Sequence, residues 1–219
     1  MTEIAADERS AQPMRADAQR SRAKLLAAAT TAFMEKGANA PLEDIARQAG
    51  VGIGTLYRHF PTRLDLQEAV FRGQVQAVCL EGEGLIDWPS PGEAFANWTR
   101  ALANYMVTKR GLASALVAAD GTKAEVISNC SQQIRTTAEH LLVRAKEAGE
   151  IRQDLDPAEV LMLLHGVIVA TERTPEQADR LMSLLLDGMR PRDLQHLQRR
   201  RTILIRGGEH DGGPGRDTA

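Results

Sequence analysis

The sequence predicts an all-α protein. Apolar residues recur at helical spacing through most of the 219 residues, and no strand pattern competes with them. Glycine or proline stands where the helical runs end. The expected architecture is a three-helix N-terminal module, a connector helix and a C-terminal bundle of five helices, about nine in all. The domains divide into a disordered tail over 1–14, the module over 15–62, the connector with a regulatory and dimerisation body over 63–206, and a flexible tail over 207–219.

Each element has its own warrant. Residues 1–14 are polar and lack periodicity, so disorder is expected. A first helix from Ala16 to Lys36 follows from Leu25, Leu26, Ala29 and Phe33, with Gly37 as its stop. Pro41 suits the start of the next helix, and Glu43 and Asp44 complement its dipole. Leu42, Ile45, Ala46 and Ala49 give that helix one apolar face, and Gly50 permits a sharp exit. Val51 can plug the gap between the two helices. A third helix begins near Ile53. Leu56 and Phe60 share its inner face, Gly54, Thr55, Arg58 and His59 point away, and Tyr57 sits on the flank. Pro61 stops it.

The connector runs from Arg63 through Leu66, Val70, Phe71, Val75 and Val78 to Leu80. Residues 81–92 contain three glycines and two prolines and read as a loop. Helices are then expected over 93–110, 112–119 and 123–148, the last closed by Gly149. Two more open at Pro157 and Pro175. Arg199 to Arg201 form a charge run with no assigned role.

Residues Leu42 to Phe60 thus read as two short helices meeting at a tight turn, a shape that puts a helix into a DNA groove. The outward face of the second helix carries a hydroxyl, a guanidinium, an imidazole and a nearby phenol, all donors to phosphates or base edges. Gly54 lets the backbone approach closely. Ile53 has two readings, a thymine methyl contact or core packing. Arg15, Arg20, Arg22 and Lys24 crowd the start of the first helix, where cations oppose the dipole. A DNA backbone accounts for them, with Arg20 the first choice for a phosphate contact; a solvated face is the alternative. A helical hairpin used only for packing is the competing reading of the whole motif.

Charge distribution agrees with DNA binding. The net charge is −2, yet residues 15–63 hold eight Lys/Arg against four Asp/Glu, a local +4 that leaves the remainder acidic. Cys79 and Cys130 lack metal-ligand spacing and are expected to be reduced, buried thiols. No run is apolar enough to span a bilayer and the N-terminus does not read as a signal peptide, so a cytoplasmic location is expected. Metal-binding, phosphate-loop and nucleophile-elbow motifs are absent, so neither an enzyme nor a cofactor or metal is expected.

The run Thr55-Leu56-Tyr57-Arg58-His59-Phe60-Pro61-Thr62-Arg63 resembles the recognition-helix signature T-L-Y-x-[HY]-F of the TetR family of transcriptional regulators. Leu42 to Ala46, with Gly50 and Val51, resembles the helix before it. The likeness runs from Arg20 to about Phe71. It implies that Thr55, Tyr57, His59 and Arg63 hold phosphates while Ile53, Gly54 and Arg58 face bases, with Tyr57 able to share that role. Ala40 and Pro41 stand where many members carry a capping Ser or Thr.

The last two helices, from about Pro157 to Met189, are apolar on most sides and need cover on most sides. A four-helix bundle shared between two subunits is expected, with Leu161, Leu164, Ile168, Leu181 and Leu185 at the interface; a monomer core is the alternative. Trp98, Leu102, Tyr105 and Met106, with His165, are the candidate lining of an effector cavity, or else plain core. The expected function is a ligand-responsive repressor. It binds a near-palindromic double-stranded operator as a homodimer and is released by a small-molecule effector. The alternatives are a non-sensing or activating protein of the same fold, and a purely protein-binding helical module.

Overall fold

The computed structural model describes residues 4–118 and 124–191. Among these residues there are eight α-helices, one 3₁₀ turn and no strand. The helices are α1 (Ile4–Lys36), α2 (Leu42–Gln48), α3 (Ile53–His59), α4 (Arg63–Gly84), α5 (Pro91–Ala118), α6 (Ala124–Glu147), α7 (Pro157–Ala170) and α8 (Ala178–Gly188).

The core runs from Leu25, Phe33, Ile45 and Leu56 in the module, through Leu66, Phe71 and Val75 on α4, to Trp98, Leu102, Leu141 and Leu142 in the body. Helix α4 packs on α1, α5 and α6, so it belongs to both halves. Its start is fixed by a capping box. The Thr62 hydroxyl accepts from the Asp65 amide at 3.1 Å, and the Thr62 amide donates to the Asp65 carboxylate at 3.0 Å. Asp156 and Glu159 form the equivalent box before α7, with Pro157 at its first position.

Four element boundaries differ from expectation. Helix α1 begins at Ile4, so the chain is helical over 4–14 where disorder was expected; that stretch is rich in alanine and other good helix formers. Helix α4 continues through Gly82 to Gly84, because Gly82 is a packing residue rather than a breaker. A Cβ there would lie 2.8 Å from Nε1 and 2.9 Å from Cδ1 of Trp98 and would collide with the Thr137 methyl. The expected helices over 93–110 and 112–119 are one helix, α5. Gly111 lies inside it, and its Cα faces Ala38 of the α1–α2 turn. The helix expected from Pro175 opens as a 3₁₀ turn, Pro175–Gln177, before α8. The tail over 207–219 and the Arg199 to Arg201 run lie outside the described residues.

Long-range hydrogen bonds knit the body. Glu150 receives the Ser90 hydroxyl at 2.6 Å and the Gly92 amide at 2.8 Å, which ties the start of α5 to the α6–α7 turn. The Trp98 indole donates to the Val78 carbonyl at 3.0 Å, joining α5 to α4.

Candidate nucleic-acid interface

Helices α2 and α3 meet at a turn in which Gly50 adopts φ +71°, a backbone region that glycine enters without strain. No side chain caps α2, in keeping with Pro41 at its N-cap. Helix α3 is anchored by Leu56, fully buried, and by Phe60 just after it. That anchoring turns the opposite face outward. Ile53 and Tyr57 are 38% and 46% exposed, and Gly54 and Arg58 are exposed beside them. A Cβ on Gly54 would meet nothing within 4 Å. The two readings of Ile53 therefore resolve toward solvent. Thr55 and His59 are half-buried at the edges of this face. The His59 and Phe60 rings lie 6.3 Å apart, centroid to centroid.

Two of the expected phosphate residues are engaged elsewhere. The Arg63 guanidinium donates to the backbone carbonyls of Ala40 at 2.6 Å and Ala38 at 3.4 Å. Gln67, one turn on and buried, donates to the same Ala38 carbonyl at 2.8 Å. Arg63 is thus a brace between the start of α4 and the α1–α2 turn, a role that its place at a helix start did not reveal. Gln67 gave no signal in the sequence. Arg20 is paired with Asp17 on the exposed side of α1. Arg22, another of the cations for which a DNA backbone was the expected partner, has its guanidinium carbon 5.4 Å from the centre of the Phe60 ring.

Beside α2, Asp44 receives Lys36 at 3.0 Å and also pairs with Arg47. The Lys36 hydrogen bond and charge hold the Asp44 carboxyl below its ordinary value of 3.8.

The expected effector residues separate. Trp98, Leu102 and Tyr105 are buried core, and burial pushes the Tyr105 phenol far above its ordinary value. Met106 and His165 do come together, in a cleft of about 500 Å³ between α5 and α7. A second cleft of about 600 Å³ separates α4 from α6, with Cys79 and Cys130 among its lining. Neither cysteine is in a disulfide, both are buried, and burial raises the Cys79 pKa.

The expected interface residues also divide. Val160, Leu164 and Ile168 repeat every four residues and are buried in the chain's own core. Leu164 and Ile168 therefore leave the expected dimer face. The opposite side of α7 presents Met162 at 72% exposure, with Leu163 and Val169. Leu184 of α8 is exposed too, while Leu161, Leu181 and Leu185 are half-buried.

An exposed, polar recognition helix set on an all-helical body defines a DNA-binding transcription regulator. Residues 25–70 match the model of bacterial regulatory proteins of the tetR family, and residues 90–191 match that of the SbtR-like transcriptional regulator C-terminal domain. A TetR transcriptional regulator from Streptomyces coelicolor is 42% identical with a TM-score of 0.69, aligned over 78% of this chain and 98% of its own. A TetR regulator from Mycobacterium vanbaalenii is 33% identical with a TM-score of 0.68, over 82% and 100%. The fold alone is shared with FadR from Bacillus subtilis in complex with stearoyl-CoA, at 20% identity and a TM-score of 0.55, over 77% and 99%. No curated protein matches this sequence. The chain belongs to the TetR family, whose members are transcription regulators and not enzymes. No helix among the described residues is long and apolar enough to cross a membrane.

Proposed function

We propose that this chain is a ligand-responsive repressor that acts in the cytoplasm and binds a near-palindromic operator as a homodimer. One observation carries the reading: the outward face of α3, where Ile53, Gly54, Tyr57 and Arg58 stand clear of the protein while Leu56 holds the helix down. In this reading Thr55, Tyr57 and His59 hold phosphates. Arg58 and Ile53 read base edges, and Gly54 lets the backbone close on the groove.

The exposed apolar side of α7, with Met162, Leu163 and Val169, and Leu184 of α8 support a two-fold interface. Such a dimer sets two recognition helices one DNA turn, or a multiple, apart. The α4–α6 cleft is the better of the two effector candidates, because one wall is the helix that leads to the DNA module. Its volume falls within the range of small-molecule sites. The relative of the same fold bound to stearoyl-CoA gives general support for a ligand in such a body. Effector binding there favours one placement of α4 and changes the spacing of the recognition helices. A typical coupling of this kind weakens DNA binding about 5–150-fold.

The test is binding to DNA flanking the protein's own gene at several salt concentrations. With Z phosphates neutralised, the log–log slope is expected near −0.9Z. Salt-independent binding, or none in dilute buffer, would overturn the regulator reading. Light scattering that reports a monomer at micromolar concentration would overturn the dimer, and Leu163→Asp is expected to produce that monomer.

A further inference from the structure

We propose that Arg22 is the backbone-phosphate contact of α1, held beside the recognition helix by the ring of Phe60. The inference rests on the reading of α3 as a DNA-binding helix.

At about 100° per residue, positions 20 and 24 lie some 200° around α1 from position 22. The cations at positions 20, 22 and 24 of α1 therefore do not share one face. Arg20 faces away and is paired with Asp17. Arg22 faces the module and sits over Phe60, 5.4 Å from the ring centre. Phe60 is a rigid platform. It is 3% exposed, and as the C-cap of α3 its amide donates to the Leu56 carbonyl at 2.8 Å, which ties it to the end of that helix.

A guanidinium stacked on a ring uses its face for the cation–π contact and keeps its in-plane N–H edge for an acceptor. Arg22 lines a surface groove of about 660 Å³ together with His59, Phe60 and Pro61. The groove also holds Asp65 and Glu68, and each of these carboxylates has a hydrogen-bond partner on α4 or at its N-cap. Asp65 receives the Thr62 hydroxyl at 2.8 Å, and Glu68 receives Arg72 at 2.8 Å. Arg22 and His59 are thus two donors on one surface at the C-terminal end of the recognition helix. Two such donors on one surface can meet phosphates of the same strand, and the ring contact restricts the guanidinium before DNA arrives.

The experiment compares wild type, Arg22→Gln, Arg22→Lys and Arg20→Gln in the full chain, by binding to operator and to unrelated duplex across a salt series. Arg22→Gln is expected to make the log–log slope shallower by about 0.9 per subunit, or about 1.8 for a dimer. Its affinity falls by the same factor on both duplexes. Arg22→Lys keeps the charge and is expected to retain the slope, and Arg20→Gln behaves as wild type. A wild-type slope in Arg22→Gln with an unchanged thermal melt overturns the proposal. So does a shallower slope in Arg20→Gln instead, or a loss confined to the operator. If Arg22→Gln fails to fold, Arg22→Met, which keeps an apolar stem over Phe60 and removes the charge, decides: a shallower slope supports the proposal, and a wild-type slope in a folded protein overturns it. Wild type that ignores DNA fails at the level of the function itself, which separates that outcome from the others.

Discussion

Gly54 of the DNA-reading module and Gly82 of the regulatory body put glycine to opposite uses. In the module, Gly52 and Gly54 open onto empty space, and a methyl group there would touch no neighbour. In the body, a methyl group on Gly82 would run into Trp98 and Thr137, and one on Gly92 would lie 2.8 Å from Glu150. An open glycine on an anchored helix leaves room for something outside the chain. A crowded one marks a contact between helices that is already made. At Gly54 and Gly82 the same residue type therefore points to binding in one place and to packing in the other.

The strongest way to break this contrast is Gly82→Ala. Trp98 is held by its bond to Val78 and cannot swing aside cheaply. Overpacking of this kind costs about 1–3 kcal/mol. In calorimetry the melting temperature is expected to fall by about 2–4 °C for each kcal/mol lost. An unchanged melt would mean that α4, α5 and α6 can separate freely at this point.

Arg58→Ala is expected to act on DNA alone. If Arg58 pairs with guanine, discrimination at one base position in each half-site falls by about 1–3 kcal/mol, with no change in melting. Competition binding against operators altered base by base measures this. Tyr57→Ala is expected instead to weaken all sequences alike. If the two variants behave alike, the division into base and phosphate contacts fails.

Gly54→Ala sharpens the contrast with Gly82→Ala. Alanine in a helix is better than glycine by up to about 1 kcal/mol, so the melt is expected to hold or rise. DNA affinity is expected to fall, because the added methyl occupies the approach to the groove. Equal or tighter DNA binding would show that the open space at Gly54 is not used.

The smallest effect belongs to Asp44→Asn. Lys36 lowers the folded carboxyl below 3.8, so the pair stabilises the module above that value. The stabilisation disappears as pH falls through the lowered folded pKa. The variant is expected to melt slightly below wild type at neutral pH, and the gap is expected to close in acid. A gap that widens in acid would reverse the assigned sign.

The helix-turn-helix was legible because its signals are local. The apolar face, the exit glycine, the polar outer face and Pro61 all fall between Leu42 and Pro61, and backbone geometry alone converts their spacing into direction. The body was legible as helices but not as packing. Gly82 and Gly111 read as breaks, since their reasons lie on Trp98, Thr137 and Ala38, distant in sequence. The bracing role of Arg63 was hidden for the same reason: the carbonyls it binds are those of Ala38 and Ala40. Periodicity showed that α7 is apolar all round, but not which side its own core would take. Burial assigns Leu164 and Ile168 inward and leaves Met162 and Leu163 outward.

The bond between the Trp98 indole and the Val78 carbonyl gives the protein an optical gauge. The chain has two tryptophans, and Trp88 is 45% exposed while Trp98 is 1% exposed. Their emission should separate into a water-quenchable red component and a shielded blue one. Because the acceptor belongs to α4 and the indole to α5, the blue component follows any slip of α4 against the body, so titration by light alone can register whatever moves that helix.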